Sequence, residues 1–499
     1  MNAVQKKGAE NARKPKIALH WIDGEWVDSA QHGESVNPAT GESLGSYAQG
    51  GTVEAQRAID AAKRAFHEED WARNRRLRAR VLNDMADRFE AHAAELARLI
   101  TLENGKALMH ANYEIEVVPH TLRFNAALAL TDHGRNSEVE AGHLSLVVRE
   151  PVGVAGIIVP WNAPAALLIR SLAPALAAGA TTVVSLPRQT AQVNALMAEI
   201  IAGTEGLPRG VVNICTGGRE VGNQFVESPD VPVISFTGST KTGRAISATA
   251  AKSLKRLGLE LGGKTPIILF DDADLDTALP KVVQALTVFS GQFCMTASRL
   301  LVQRGIANKV RSQLSGQLEA VKVGPGIDPV NDMGPLIDQA NVERVDDMVK
   351  DAIHAGAKVI VRGGPATEGA LANGAFYRPT LLEAPNSSLE IVQKEVFGPV
   401  LTMQVFDTEA EAIAMANDSE YGLSASVWSR DVDLPLRVAR ELESGTVWIN
   451  DWAVLYDQFE EGGFKQSGQG RMRGMAVMDD FIEYKHIALH PGVVKRPGG

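Results

Sequence analysis

A chain of 499 residues, 45% of them hydrophobic and 22% charged, has ordinary globular composition and length for two to four domains at roughly 100–200 residues each. Its net charge of −10, with lysines and arginines scattered, excludes the basic face of a nucleic-acid binder. Two cysteines, Cys215 and Cys294, exclude a disulfide framework and fit a reducing compartment.

The first sixteen residues are polar, with Lys6, Lys7, Arg13, Lys14 and Lys16. They read as a frayed tail rather than a secretory signal, so a soluble cytoplasmic protein is expected. Residues 53–66 and 76–100 carry helical spacing of Ala, Leu and Met and lack Gly and Pro. A polar loop at 133–142 is followed by an alternating apolar segment at 143–149. The most apolar stretch, 152–186, is interrupted by Pro160, Pro164, Arg170 and Pro174. It is therefore no membrane span, which needs about 20 unbroken apolar residues. Residues 154–159, 181–185 and 233–235 read as buried strands, with helices at 191–203 and 242–253 between or after them. Such alternation predicts a parallel, doubly wound sheet. A second series follows, with helix at 307–321, strand at 358–361 and helix at 409–417. The segment at 481–489 reads, like 143–149, as a strand in search of a partner sheet.

Four places carry candidate chemistry. Cys294 follows Phe289-Ser-Gly-Gln-Phe, where a thiolate would be a strong nucleophile toward carbonyl carbon. Glu260 lies between leucines and precedes Gly262-Gly263; burial would raise its pKa into the range of a general base. Asn162, in Pro160-Trp-Asn-Ala-Pro164, is an amide donor after a strand, suited to an oxyanion. Phe236-Thr-Gly-Ser-Thr-Lys-Thr-Gly243 opens a helix whose free N–H groups could meet a phosphate, although no Gly-x-Gly-x-x-Gly is present. Taken singly, each has a plainer reading: a structural thiol, a carboxylate capping a turn, a Pro-containing loop, a helix cap.

Together they resemble the aldehyde dehydrogenase superfamily, from about Trp21 to His490. The resemblance continues in Glu395-Val-Phe-Gly-Pro399, Tyr421-Gly-Leu-Ser-Ala425 and Gly462-Gly-Phe-Lys-Gln-Ser-Gly468. It implies an α/β protein with two doubly wound domains, cofactor-binding (16–129 and 149–262) and catalytic (263–477). It adds a small β oligomerisation domain (130–148 and 478–499), behind a tail at 1–15. It implies oxidation of an aldehyde to an acid through a Cys294 thiohemiacetal and thioester, with Asn162 holding the oxyanion and Glu260 activating water. Pro160, Trp161, Gly238, Ser239, Leu261, Glu395 and Phe397 would contact the cofactor, NAD with NADP tolerated. A homodimer or homotetramer is implied.

Departures from the family pattern bear on substrate and cofactor. Leu186 stands where a lysine is usual and Gln189 where Glu is frequent, so neither holds a ribose hydroxyl nor repels a 2′-phosphate. Ser171 and Met472 replace a Lys and a Glu that flank the base in some members, so the Glu260 proton would leave by water. Arg170, Ala163, Leu455 and Glu461 are expected to line the substrate channel. A free Arg170 would select a semialdehyde of a dicarboxylic acid; an Arg170 neutralised by Glu461 would favour a neutral polar or aromatic aldehyde. A CoA-acylating relative would lack Glu260, and a structural protein on the same fold would not need Cys294, Glu260 and Asn162. An esterase-type cysteine hydrolase would need triad partners that no motif marks. No metal is expected, because His486 and His490 stand four residues apart along a strand.

Overall fold

The structure, a computed structural model, describes residues 17–494. The basic run at Lys6–Lys16 lies outside them. Among the described residues no helix is long and apolar enough to cross a membrane.

An eight-stranded sheet runs in the order Glu25–Val27, His20–Ile22, Val212–Gly217, Thr181–Pro187, Val154–Ile158, Val233–Thr237, Arg256–Glu260, Gly468–Gln469. The five central strands are parallel. Side chains alternate between its faces. Val183 and Ile234 join the apolar cluster of helices Thr52–Glu68 and Arg219–Glu227, while Val184 and Val233 join that of Arg75–Ala91, Leu108–Thr131 and Pro164–Ala178. Helices on both faces make the sheet doubly wound. Chain order reverses between Val154–Ile158 and Val233–Thr237, and a crevice opens at the C-terminal ends of such a pair.

A seven-stranded sheet is built from Lys358–Val361, Thr380–Glu383, Val400–Phe406, Arg299–Gln303, Pro266–Leu269, Ser424–Trp428 and Thr446–Ile449, in that order. Leu300 and Val302 face helices Leu275–Thr287 and Ala307–Glu319; Leu301 and Ile268 face Glu409–Asn417 and Leu434–Glu441. A third sheet joins Arg135–Glu140, His143–Pro151 and Ile482–Leu489. The two segments expected to seek a partner pair with each other, Leu144 opposite Leu489 and Pro151 opposite Ile482.

Two expectations are corrected. The helix read at 76–100 is two, Arg75–Ala91 and Ala93–Asn104, broken at His92, whose ring Nδ1 lies 2.9 Å from the Arg88 carbonyl. The polar loop at 133–142 contains the strand Arg135–Glu140; all six residues are exposed, so no apolar alternation marks it. The apolar stretch at 152–186 is divided into strand Val154–Ile158, helix Pro164–Ala178 and strand Thr181–Pro187, with Pro160 in the turn before the helix and Pro174 inside it; Pro119 likewise lies inside Leu108–Thr131. Interior proline costs about 3 kcal/mol, which burial along these helices outweighs.

Candidate active site

The residues after the switch-point strands converge with the loop carrying Cys294. That loop begins as a tight turn with left-handed backbone at Phe289, Ser290 and Gly291 (φ 49°, 59° and 73°). Its surroundings over-determine it. Ser290 Oγ donates to the Gly334 carbonyl (2.9 Å), Gln292 Oε1 accepts from Ile337 N–H (2.9 Å), and a Cβ on Gly291 would stand 2.4 Å from the Gly398 carbonyl carbon. Trp452 Nε1 donates to the Met295 carbonyl on the far side (2.8 Å). Cys294 is half-buried there, and Leu455 and Phe293 pack against the same cluster; Cys215 is a buried thiol elsewhere.

Asn162 is buried, and its Nδ2 donates to the Gln292 carbonyl (3.1 Å), beside the turn leading to Cys294. An amide nitrogen carries two N–H groups, so one remains for a ligand. Ala163 is buried at the start of helix Pro164–Ala178. Glu260 ends strand Arg256–Glu260 opposite Thr237. Its Oε1 is buried without a hydrogen-bond partner, and burial, opposed by Arg170, pushes its pKa up to about 8. Burial also pushes the Cys294 thiol up to about 12, with Arg170 pulling against it. The junction therefore brings together a thiol and a carboxyl whose pKa values burial raises, and an amide donor.

The residues expected to meet a cofactor fall into two groups. A cleft of about 450 Å³ at the C-terminal ends of the parallel strands is lined by Leu186, Arg188, Gln189, Arg219, Phe236 and Thr242. Gly238 and Ser239 lie in the turn between the last two, where Ser239 Oγ caps helix Thr240–Ala250. Pro160 and Trp161 follow the neighbouring strand, and Trp161 meets Phe397 edge to face at 5.6 Å. Leu261 packs against Gly243 of that helix. Glu395 accepts from Gly263 N–H (3.1 Å); burial pushes it up to about 7, and buried Lys264 Nζ nearby has no partner.

Arg170 is buried and paired with Glu461 through Nη1, while Nη2 donates to Thr237 Oγ1 (3.0 Å). The second oxygen of Glu461 is taken by Arg473 Nε (3.1 Å), and Arg473 Nη1 reaches Asp457 Oδ1 (2.6 Å), which also accepts from Thr121 Oγ1 (2.8 Å). Burial raises the Glu461 pKa, but Arg473 and Arg170 together outweigh it and hold the carboxyl below its ordinary value. Sequence reasoning found Arg170 and Glu461 but not Arg473 or Asp457. The available signal was a second arginine two residues after Arg471 in the glycine-rich C-terminal motif. Ser171 and Met472 are both buried, Ser171 Oγ accepting from Ser235 Oγ (3.0 Å).

The profile of the aldehyde dehydrogenase family matches residues 26–487. Among curated relatives, the betaine aldehyde dehydrogenase of Bacillus subtilis is 38% identical over 94% of this chain and 96% of its own. The NADP(+) succinate-semialdehyde dehydrogenase of Escherichia coli is 38% identical over 94% and 97%. Among solved structures, betaine aldehyde dehydrogenase of Staphylococcus aureus in complex with NAD+ superimposes with a TM-score of 0.93, at 35% identity over 97% of both chains.

Proposed function

We propose a catalytic sequence and a substrate class for this chain, which belongs to the aldehyde dehydrogenase family. It is an enzyme that oxidises an aldehyde to a carboxylic acid with a nicotinamide cofactor. Cys294 is the nucleophile. Its sulfur bonds to the aldehyde carbon, and its proton leaves to solvent, to which the half-buried side chain is open. The Arg170 charge favours the thiolate. The carbonyl oxygen becomes an oxyanion, met by the free N–H of Asn162 Nδ2 and the backbone N–H of Cys294. The cofactor, when bound, supplies the hydride acceptor. The acyl group is then a thioester on Cys294. Glu260 takes a proton from water, the hydroxide adds to the acyl carbon, and the acid leaves as the thiolate is released. The unpartnered Glu260 Oε1 is the oxygen suited to hold that water.

The chain's residues fit a dinucleotide. The cleft has the volume of a ligand pocket and lies at a helix N-terminus where N–H groups meet phosphate. Glu395 has one oxygen left after bonding Gly263, enough to accept from a ribose hydroxyl. Buried Leu186 offers no donor to the second ribose, so NAD is preferred. Arg188 and Arg219 on the cleft wall give a 2′-phosphate a partner, so NADP is tolerated.

The substrate is an aldehyde with a neutral polar or aromatic tail. The observation that carries this is the pairing of Glu461 with Arg170 on one oxygen and Arg473 on the other. Two arginines and two carboxylates leave no net charge for a substrate carboxylate. A semialdehyde is the second reading, favoured by the unpartnered Arg170 Nε and by relatives named for semialdehydes. Comparing kcat/KM for benzaldehyde and succinic semialdehyde decides between them; a preference for the semialdehyde in the unaltered enzyme rejects the first reading.

The enzyme is a homodimer or a dimer of dimers in a reducing cytoplasm. Val148, Ile487 and Leu489 are exposed on one face of the third sheet, an apolar surface suited to a second copy. A stable monomer by mass measurement in solution would contradict this.

A further inference from the structure

Lys106 is a fully buried cation outside the reacting groups, and it touches both loops that bring them together. Its Nζ donates to the main-chain carbonyl of Asn162 (2.6 Å) and lies 3.7 Å from the centroid of the Phe289 ring, at the head of the Cys294 turn. Its partner Glu114 holds it at 2.5 Å through Oε2. The other oxygen of Glu114 accepts from Ala165 N–H (2.8 Å) and Ala166 N–H (3.3 Å), in the first turn of helix Pro164–Ala178, which has no side-chain cap of its own. Asn104 Nδ2 adds a bond to the Trp161 carbonyl (2.6 Å).

The turn carrying Lys106 is itself wedged. Gly105 has φ 89°, and a Cβ there would stand 2.7 Å from Pro335 and 2.9 Å from Pro38. Its carbonyl oxygen would lie 1.9 Å from a Cβ on Gly334, the residue that accepts from Ser290 Oγ in the Cys294 turn. A buried ammonium needs a counter-ion and acceptors, and here the acceptor is the Asn162 carbonyl while the counter-ion Glu114 also holds the first turn of the helix that follows Asn162. We propose that Lys106, anchored by Glu114, is a positioning residue that sets the Asn162 amide against the Cys294 turn. This rests on the reading of Asn162 as the oxyanion donor. Lys106 touches no reacting atom. It fixes the carbonyl at one end of the Asn162 residue and the aromatic ring at the start of the turn with one charge, so the donor and the nucleophile share a reference point.

The test is a double-mutant cycle with Asn162→Ala. Removing Lys106 alone would leave Glu114 a buried unpaired charge, so the variant to make is Lys106→Met with Glu114→Gln. It deletes both charges and keeps a carbonyl acceptor for Ala165 and Ala166. In the unaltered enzyme the pair is expected to lower kcat on the order of 10²-fold, the scale of losing one oxyanion donor. KM for the cofactor is expected to change by less than about twofold. In the Asn162→Ala background the same pair is expected to lower kcat only several-fold, the part that runs through Phe289, because the residue it positions is gone. Full additivity of the two losses overturns the proposal, as does an unchanged kcat in the first background. An unchanged kcat in Asn162→Ala alone instead overturns the oxyanion reading. Phe289→Leu, which leaves both bonds of Lys106 intact, checks the second contact without touching the charges. It is expected to slow alkylation of Cys294 by iodoacetamide or lower kcat several-fold, and no change in either rejects the link to the nucleophile turn.

Discussion

Two clusters of ionisable groups meet at Arg170, and they are built on opposite rules. Around Cys294 the groups are left incomplete: Glu260 Oε1 and Lys264 Nζ are buried without partners, and burial pushes the Glu260, Glu395 and Cys294 pKa values up. Around Glu461 both carboxylate oxygens are taken, Asp457 is shared by Arg473 and Thr121, and the Glu461 carboxyl is held ionised. An unsatisfied buried polar group costs about 1–3 kcal/mol, so it persists where a ligand or a water must complete it. A saturated network instead fixes shape and cancels charge. Arg170 belongs to both, and its pairing with Glu461 is what the proposed substrate preference rests on.

The comparison breaks first at the nucleophile. Cys294→Ala is expected to lower turnover by at least about 10⁴-fold while cofactor binding, followed by protein fluorescence, stays within about twofold. Retained turnover would remove Cys294 from its role. Glu461→Gln strikes the saturated cluster. It leaves Arg170 and Arg473 short of a buried carboxylate, an expected loss of roughly 3–5 kcal/mol in urea unfolding. It is also expected to move kcat/KM toward succinic semialdehyde, by freeing the Arg170 charge. A variant as stable as the parent and with its specificity ratio unchanged would mean that the network does not govern the tail.

The incomplete cluster has a pH signature. In the proposed role of base Glu260 acts only when ionised, and burial raises its pKa to about 8. Activity limited by thioester hydrolysis is expected to rise with pH up to about 8, roughly tenfold per unit well below it, and then to level. A limb centred near the ordinary carboxylate value would contradict the burial of Glu260. The smallest effect is at the cofactor cleft. Arg188→Ala is expected to lower kcat/KM with NADP about tenfold and with NAD less than about twofold, the difference of one charge-assisted contact. Equal losses with both cofactors would place Arg188 away from the 2′-phosphate.

The two clusters were unequally legible in the sequence. Cys294, Glu260 and Asn162 sit in local motifs rich in Gly and Pro, where chain geometry and chemistry coincide within a few residues, and the structure brings all three to one junction. Buried strands showed as apolar runs. The strand Arg135–Glu140, exposed along its whole length, had no pattern to read. Pro119 hid the 24-residue helix that carries Glu114 and Thr121, because a proline reads locally as a breaker while its cost is outweighed only by tertiary packing. Arg473 and Asp457 are ordinary charges one at a time. Only the folded C-terminal segment shows that they bracket Glu461. Lys106 lies 56 residues from the carbonyl it holds, a separation that no local spacing rule reaches.

The division of labour between Cys294 and Glu260 is tested most directly by rapid mixing of the Glu260→Gln variant with aldehyde and NAD. The expected result is one NADH per Cys294 in a burst, a thioester recoverable from acid-quenched protein, and a steady rate slower by 10²-fold or more, on the order seen when a general base is removed. Steady turnover near that of the parent enzyme, with no burst and no trapped thioester, would contradict it.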